Sequence, residues 1–511
     1  MRNTIALGIA LASIIAALEA GEAPKPPKPE PAAEKPLKRP RPTRPLSLSD
    51  AIALALKHNL TLAAERINPK LAHTVIVEQE SIFDPTAYGE LNRAKSKEQT
   101  PTGLFGERQQ SATGTLGIAK LLPPGTLVDV NVGGGRDWND YPFVATNPAY
   151  SERWGISISQ PLLRGAGVRV NTAGIATAQN ERRLAQAALR QAAITTVADV
   201  TRAYWQLVLA VRDRELVQRS LDRALGLQRE VQIRVDVGAL PAKPNVEQAK
   251  AEVAVRQEEI VRADQAIHDA ENALKVITDM AADDAVWGVA LAPTTAPDQN
   301  VPALDPDAAV RTALARRPDY QQAQIAIENQ GILVYVRRNE TKPKLDLVAG
   351  FGNSGLGGSW NGAEHHLGSL DYYQWTLGLT FEVPLGNRAA RARYRRARLQ
   401  HDQAQIYLRA LERQIQLELR NAVRAVATDV ESLRAAEQSV KAVEARLSAE
   451  TEKFKQGQDV TTQDLLDAQA ALAEAERRAL ATLIALTNSL VDVERLQGTI
   501  LEASNIVWED E

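Results

Sequence analysis

The chain has 511 residues, a net charge of −3 and no cysteine, and its residues are 44% apolar but only 5% aromatic. Without cysteine there are no disulfides, no thiol chemistry and no Cys-ligated metals, and the near-neutral charge argues against a nucleic-acid partner. Many small apolar residues with few aromatic ones suit long packed helices with thin cores rather than a large globular interior.

Residues 1–20 carry Arg2, an apolar run from Ile5 to Leu18 and then Glu19-Ala20-Gly21. They read as a secretory signal peptide cut after Ala20. The alternative is an uncleaved anchor, for which the run is short of the ~20 residues of a membrane span. Residues 21–45 hold nine prolines among Lys, Arg and Glu, the composition of an extended basic linker. Beyond Ala20 no stretch is long and apolar enough for a transmembrane helix, so any passage through a membrane must use strands.

Residues 46–290 open with a short amphipathic helix over Leu46–Asn59, with Ser47 or Ser49 as N-cap. After Asp84-Pro85 the period of the pattern changes from 3.6 to 2. Val128, Val130 and Val132 alternate with Asp129, Asn131 and Gly133, and Trp154, Ile156 and Ile158 alternate with Gly155, Ser157 and Ser159. One apolar face and one small or polar face is what a strand needs between lipid and water. A long helix from Thr172 to about Val235, a break at Gly238 and a returning helix to about Met280 follow. In the return Val246, Val253, Ile260, Ile267 and Leu274 recur every seven residues.

Residues 291–303 read as a linker, and in residues 304–500 the same order recurs. Leu304–Arg317 mirrors the first short helix, strands are expected over Lys344–Phe351 and Trp375–Val383, and Pro384-Leu385 matches Pro161-Leu162. From Arg388 to Phe454 there is neither proline nor glycine, a helix of roughly 100 Å. Gly457 then matches Gly238, and Leu465, Leu472, Ala479, Leu486, Val493 and Ile500 form the second heptad stripe. Residues 501–511 remain as a tail. The chain is a tandem duplication of period roughly 220–260 residues, too long for a solenoid unit. The first copy holds about 35 extra residues among its strands, enough for one more hairpin or a long external loop.

Few strands cannot close a barrel alone, and open sheet edges are not tolerated in lipid. Several chains must therefore share one barrel, of 12 strands in a trimer, or 18 if the extra hairpin joins the wall. The expected fold is mainly α with a membrane β-barrel: duplicated helical hairpins forming a trimeric α-barrel, with the strands pooled into one transmembrane β-barrel.

The repeated order of short helix, strands, Gln160-Pro161-Leu162-Leu163-Arg164-Gly165 exit and helical hairpin, together with Thr461-Thr462-Gln463-Asp464-Leu465-Leu466-Asp467, resembles the TolC-like outer-membrane efflux proteins over about Leu46–Gly498. The resemblance implies a homotrimer set in outer-membrane lipid and extending into the periplasm. It implies export of substrates together with a periplasmic adaptor (membrane fusion protein) and an inner-membrane transporter. It assigns Asp464 and Asp467 to the periplasmic gate, although first-turn carboxylates also have an ordinary helix-dipole explanation. It assigns adaptor docking to the tips Val237, Gly238, Ala239, Leu240 and Gln456, Gly457, Gln458, Asp459. A periplasmic coiled-coil structural or adaptor protein outside the membrane is the alternative reading. Nine aromatics from Trp138 to Trp375 flank the strands and suit an interfacial girdle. His365-His366 is expected in an exposed Gly-rich loop. No catalytic, cofactor or metal constellation stands out, and no enzyme activity is expected.

Overall fold

A computed structural model describes residues 41–99, 106–238, 242–298, 300–458 and 460–508. The expected signal peptide and most of the Pro-rich linker lie outside these residues. The chain divides into units at Met1–Pro42 and Thr43–Glu511, and every element named below lies in the second.

In chain order the elements are β1 (Thr43–Leu46), α1 (Leu48–His58), α2 (Leu60–Glu65), α3 (Asn68–Glu80), β2 (Thr86–Lys97), β3 (Arg108–Leu121), β4 (Leu127–Asn139) and β5 (Ala149–Pro161). Then come α4 (Val168–Asn171), α5 (Ala173–Asp236), α6 (Ala242–Ile277), β6 (Ala290–Pro293), α7 (Pro306–Arg316), α8 (Pro318–Glu340), β7 (Lys344–Gly357) and α9 (Trp360–Ser369). The chain closes with β8 (Tyr373–Glu382), α10 (Arg388–Lys455), α11 (Thr462–Gln497) and α12 (Ile500–Ala503).

The duplication is visible in the lengths. α1 and α7 have 11 residues each, α5 and α10 have 64 and 68, and α6 and α11 have 36 each. The two short helices are capped by the same device: Asp50 N–H donates to Ser47 Oγ at 3.1 Å, and the N–H groups of Asp307 and Ala308 donate to Asp305, each at 3.1 Å. Such caps satisfy donors that the first helical turn leaves open. Glycine with φ +75° at Gly238 and +71° at Gly457 ends each long helix, a left-handed position that residues with a Cβ seldom take.

The long helices lie side by side. α5 packs against α6, α11, α3 and α8, and α10 packs against α11 and α8. Tyr204, Leu207, Ile194 and Val197 of α5 anchor the largest core cluster, and Ile415, Leu419, Val423 and Val426 of α10 anchor the second. The seam between the repeats is also ionic: Arg477 reaches both oxygens of Asp213 at 2.6 and 2.9 Å, Arg223 lies 2.8 Å from Glu476, and Arg202 pairs with Asp492.

Two expectations need correction, and two further features complete the picture. The inter-repeat linker is not free, because β6 pairs in parallel with β1 from Thr43↔Ala290 to Leu46↔Pro293. Buried Tyr204 donates to Leu46 O at 3.2 Å and accepts from Thr295 N–H at 2.9 Å, while Lys275 Nζ donates to Val289 O at 2.7 Å. α12 spans the junction of the second repeat and the tail and buries Ile500 and Leu501 in the first core cluster, against α5. His365 and His366 stand on helix α9, capped by Ser359, and not in a loop. Of the two alternatives for the extra residues of the first repeat the structure has the hairpin: the first repeat supplies four strands to the large sheet where the second supplies two.

Candidate functional site

The six long strands form one antiparallel sheet in the order β2-β3-β4-β5-β7-β8. The extra residues of the first repeat are thus a hairpin inside the wall and not an external loop. Register makes this consistent across the sheet. Ile118 pairs with Val130, Val130 with Ile156, Ile156 with Phe351 and Phe351 with Trp375, so one apolar row crosses β3, β4, β5, β7 and β8. The next row toward the helices runs Lys120, Val128, Ile158, Ala349 and Leu377. The opposite face carries Thr115, Asn131, Gly133, Ser157, Gly350 and Thr376.

The apolar face is open in a single chain: Leu91, Trp375, Leu377, Leu379 and Phe381 are all well exposed. From Tyr373 to Phe381 it extends about 26 Å along the strand at ~3.3 Å per residue, close to the ~25 Å lipid-facing band of outer-membrane barrels. Aromatic rings gather at its end away from the helices. Trp154 lies 5.6 Å from Phe351, Phe351 stacks on Tyr373 at 6.5 Å, and Tyr150 meets Trp360 edge-on at 5.0 Å. α9 lies against this same face, beyond the apolar band, where glycine makes room for it: a Cβ on Gly355 would overlap the Ala363 carbonyl oxygen. The outer edges of β2 and β8 have no strand partner among the described residues.

At the far end of the helices the two hairpin tips meet. Arg234, at the end of α5, donates to Phe454 O at 2.7 Å and Lys455 O at 3.1 Å, which caps the last carbonyls of α10. Its guanidinium also lies 4.5 Å from the centre of the Phe454 ring and pairs with Glu230 at 2.8 Å. Leu227, Val231, Val246, Phe454, Leu465 and Leu466 form a separate core just behind. Val237 and Gly238 of one tip and Gln456, Gly457 and Gln458 of the other are exposed, and Gln458 donates to Gln456 at 3.1 Å. Ala239, Leu240 and Asp459 lie outside the described residues. Arg234 and Phe454 escaped the sequence reading. Their only signals were a basic residue in the last turn of one long helix and a phenylalanine in the last turn of the other.

Asp464 and Asp467 are brought together on the first two turns of α11, both exposed, but their surroundings differ. Asp464 completes a capping box: its carboxylate accepts from Thr461 N–H at 2.8 Å and Thr461 Oγ at 2.7 Å, and its own N–H donates to Thr461 Oγ at 3.2 Å. Those bonds from Thr461, assisted by the charge of Arg446, hold the Asp464 carboxyl below the ordinary range. Asp467 accepts from Gln463 at 2.8 Å and takes no part in the cap.

A family model of outer membrane efflux proteins matches residues 127–278 and 309–499, which covers most of both repeats. This chain belongs to the outer membrane efflux protein family. Its fold is similar to the CmeC outer membrane channel of Campylobacter jejuni (TM-score 0.63, 19% identity, 88% of this chain and 85% of that one). It is also similar to VceC of Vibrio cholerae (0.62, 18%, 88% and 96%) and to the open state of the MtrE channel of Neisseria gonorrhoeae (0.61, 16%, 89% and 89%). Among curated proteins no sequence matches significantly. The protein is an outer-membrane export channel reaching into the periplasm, and the reading as a periplasmic coiled-coil protein outside the membrane falls. Members of the family work with a periplasmic adaptor and an inner-membrane pump.

Proposed function

We propose that three copies of this chain close one passive conduit of eighteen strands over a common tube of helices. The observation that carries this is the six-stranded sheet, with one continuous apolar face and two unpaired edges, joined to long helical hairpins. In lipid each open edge must find a partner, and β8 of one copy beside β2 of the next supplies it. At a strand spacing of ~4.8 Å and a tilt of ~40°, eighteen strands enclose a barrel about 35 Å across the backbone. The small and polar face of the sheet then lines the bore. α10 exposes Leu399, Ile406, Tyr407 and Leu417, apolar residues that a neighbouring copy would cover.

At the periplasmic end, Asp464 and Asp467 from three copies form a ring of six carboxylates that selects cations and repels anions. Asp467 carries the greater share of the gate, because Asp464 is occupied in its cap. The two tips, held side by side by Arg234, form the docking surface for a periplasmic adaptor that links the channel to an inner-membrane transporter. Native mass spectrometry of the detergent-solubilised protein is expected to give three chains; a monomer or dimer as the only species would overturn the reading. In planar bilayers Asp464→Ala with Asp467→Ala is expected to raise conductance and weaken block by divalent cations, and unchanged block would remove both residues from the gate. Bulky substitution at Gln458 is expected to abolish adaptor pull-down while trimers persist.

A further inference from the structure

On the apolar face, beyond its band, the first three strands turn basic. Arg93, Lys95 and Lys97 occupy alternate positions of β2 after Leu91, Lys97 stands opposite Arg108 on β3, and Arg93 is in register with Ala112 and, one strand further, with Arg136. Strand spacing and the two-residue repeat place the five cations in a patch roughly 10 by 14 Å. All five are exposed. Three carboxylates share this end of the face. Glu107 lies 3.9 Å from Lys97, Asp140 accepts the Arg108 backbone N–H at 2.8 Å, and Glu152 stands on β5 opposite Gly134. The side chains of Arg93, Lys95, Arg108 and Arg136 have no hydrogen-bond or ion-pair partner among the described residues. On the other half of the sheet the row of Arg93 and Arg136 continues through Tyr150 to Gly357, where α9 covers the face. The charge is therefore confined to β2 and the inserted hairpin.

Like charges directly opposite one another weaken a sheet, so Lys97 against Arg108 has no reason in strand pairing. An anion seated between them supplies one. Directly below lie Leu91, Leu116, Ile118 and Val132, exposed and in continuous register. An amphipathic ligand with an anionic head and acyl chains fits both surfaces at once. We propose that this patch binds the phosphate groups of a phosphorylated glycolipid of the outer leaflet, its acyl chains lying on the apolar band. Arg93, Arg108 and Arg136 grip the phosphates through paired N–H donors, and Lys95 and Lys97 add compact charge. The assignment rests on the reading that the apolar face meets lipid.

The test uses the whole detergent-solubilised protein, titrated with a bisphosphorylated glycolipid or with the same lipid after phosphatase treatment, and read by native mass spectrometry. The phosphorylated form is expected to bind about tenfold more tightly, and Arg93→Gln with Arg108→Gln and Arg136→Gln is expected to remove that preference. The corresponding triple Lys variant is expected to keep most of it. Equal binding of the two lipids by the wild type overturns the proposal, as does unchanged binding by the Gln variant. Displacement by millimolar inorganic phosphate would mark a free-anion site and overturn it too. Flotation of the wild type with phosphatidylcholine vesicles separates the two levels. Failure to float defeats the membrane reading itself, whereas flotation without headgroup preference defeats only this assignment. Should the Gln variant fail to assemble, the comparison of the two lipids on the wild type decides.

Discussion

The two repeats share a plan and differ in what surrounds them. α5 lies inside the chain, flanked by α6, α11, α3 and α8, and buries Tyr204, Leu207 and Val200 completely. α10, its counterpart, is longer but lies at the edge, with α11 and α8 as its helical neighbours along most of its length, and leaves Leu399, Ile406 and Leu417 in the open. At the membrane end the asymmetry reverses in number: four strands from the first repeat, two from the second. A duplicated sequence thus yields an inner and an outer version of one element. The outer version leaves the apolar face that the proposed assembly would cover with a neighbouring chain, and the longer strand region would set the width of its wall.

The strongest way to break this picture is on the sheet. Ile156→Arg, on the lipid side, is expected to cost ~2–4 kcal/mol per copy and to prevent insertion, whereas Ser157→Arg, one residue on, should insert normally. Flotation with vesicles separates the two; equal flotation would mean that the faces are assigned the wrong way round. Next come the helices. Leu207→Ala in α5 is expected to destabilise the chain by ~2–5 kcal/mol in thermal or denaturant unfolding. Ile406→Asp in α10 should leave the folding of each chain almost untouched and lower the trimer fraction on a sizing column. If both variants lowered chain stability alike, the distinction between inner and outer helix would be lost.

Removing β3 and β4 with their turns makes the first repeat resemble the second. The wall is then expected to close with twelve strands, and the area of the barrel to shrink about twofold, read as lower conductance and a smaller polymer cut-off from the outer side. The smallest effect is expected at the capping box. The carboxyl of Asp464 titrates lower in the folded chain than in the unfolded one, so its contribution is complete above the unfolded value of ~3.9 and fades as pH falls through the folded value. Asp464→Asn should abolish that acid-side loss at the start of α11, measured by hydrogen exchange at Leu465–Ala468. Asp467→Asn should leave it in place and change only permeation.

Much of this architecture was legible in the residues. Seven-residue spacing from Val246 to Leu274 and from Leu465 to Ile500 marks buried seams, because a stripe in register over about eight turns or more must meet another helix. Alternation at Val128–Gly133 and Trp154–Ser159 marks strands with two different faces. Less legible was anything that depends on distant pairing. β2 alternates poorly, with Ala87, Gly89 and Leu91 as its apolar set, and only its register with β3 assigns it to the wall. β1 and β6 are each four residues long and contain Pro45 and Pro293, which reads as linker until the two are seen side by side. α9 looked like loop because of Gly362 and Gly368, yet Ser359 caps it and the sheet glycines seat it. The Asp464 and Asp467 pair was found by its spacing, but spacing does not reveal that one carboxylate is spent on a cap.

The parallel pair β1–β6 fastens Thr43–Leu46 to the connection between the repeats, with Tyr204, Lys275 and Glu271 holding both to the helices. Mechanically it is a splint at the fulcrum of a lever. Helix α6, which carries Lys275 and Glu271, has 36 residues, about 54 Å at ~1.5 Å per residue. Over such an arm a rotation of about five degrees at the splint carries the tip about 5 Å, enough to widen or narrow an opening there by the breadth of a side chain. All three anchors lie in α5 and α6, so the pair ties the connection between the repeats to the first helical hairpin, and any tilt of that hairpin carries the start of the second repeat with it.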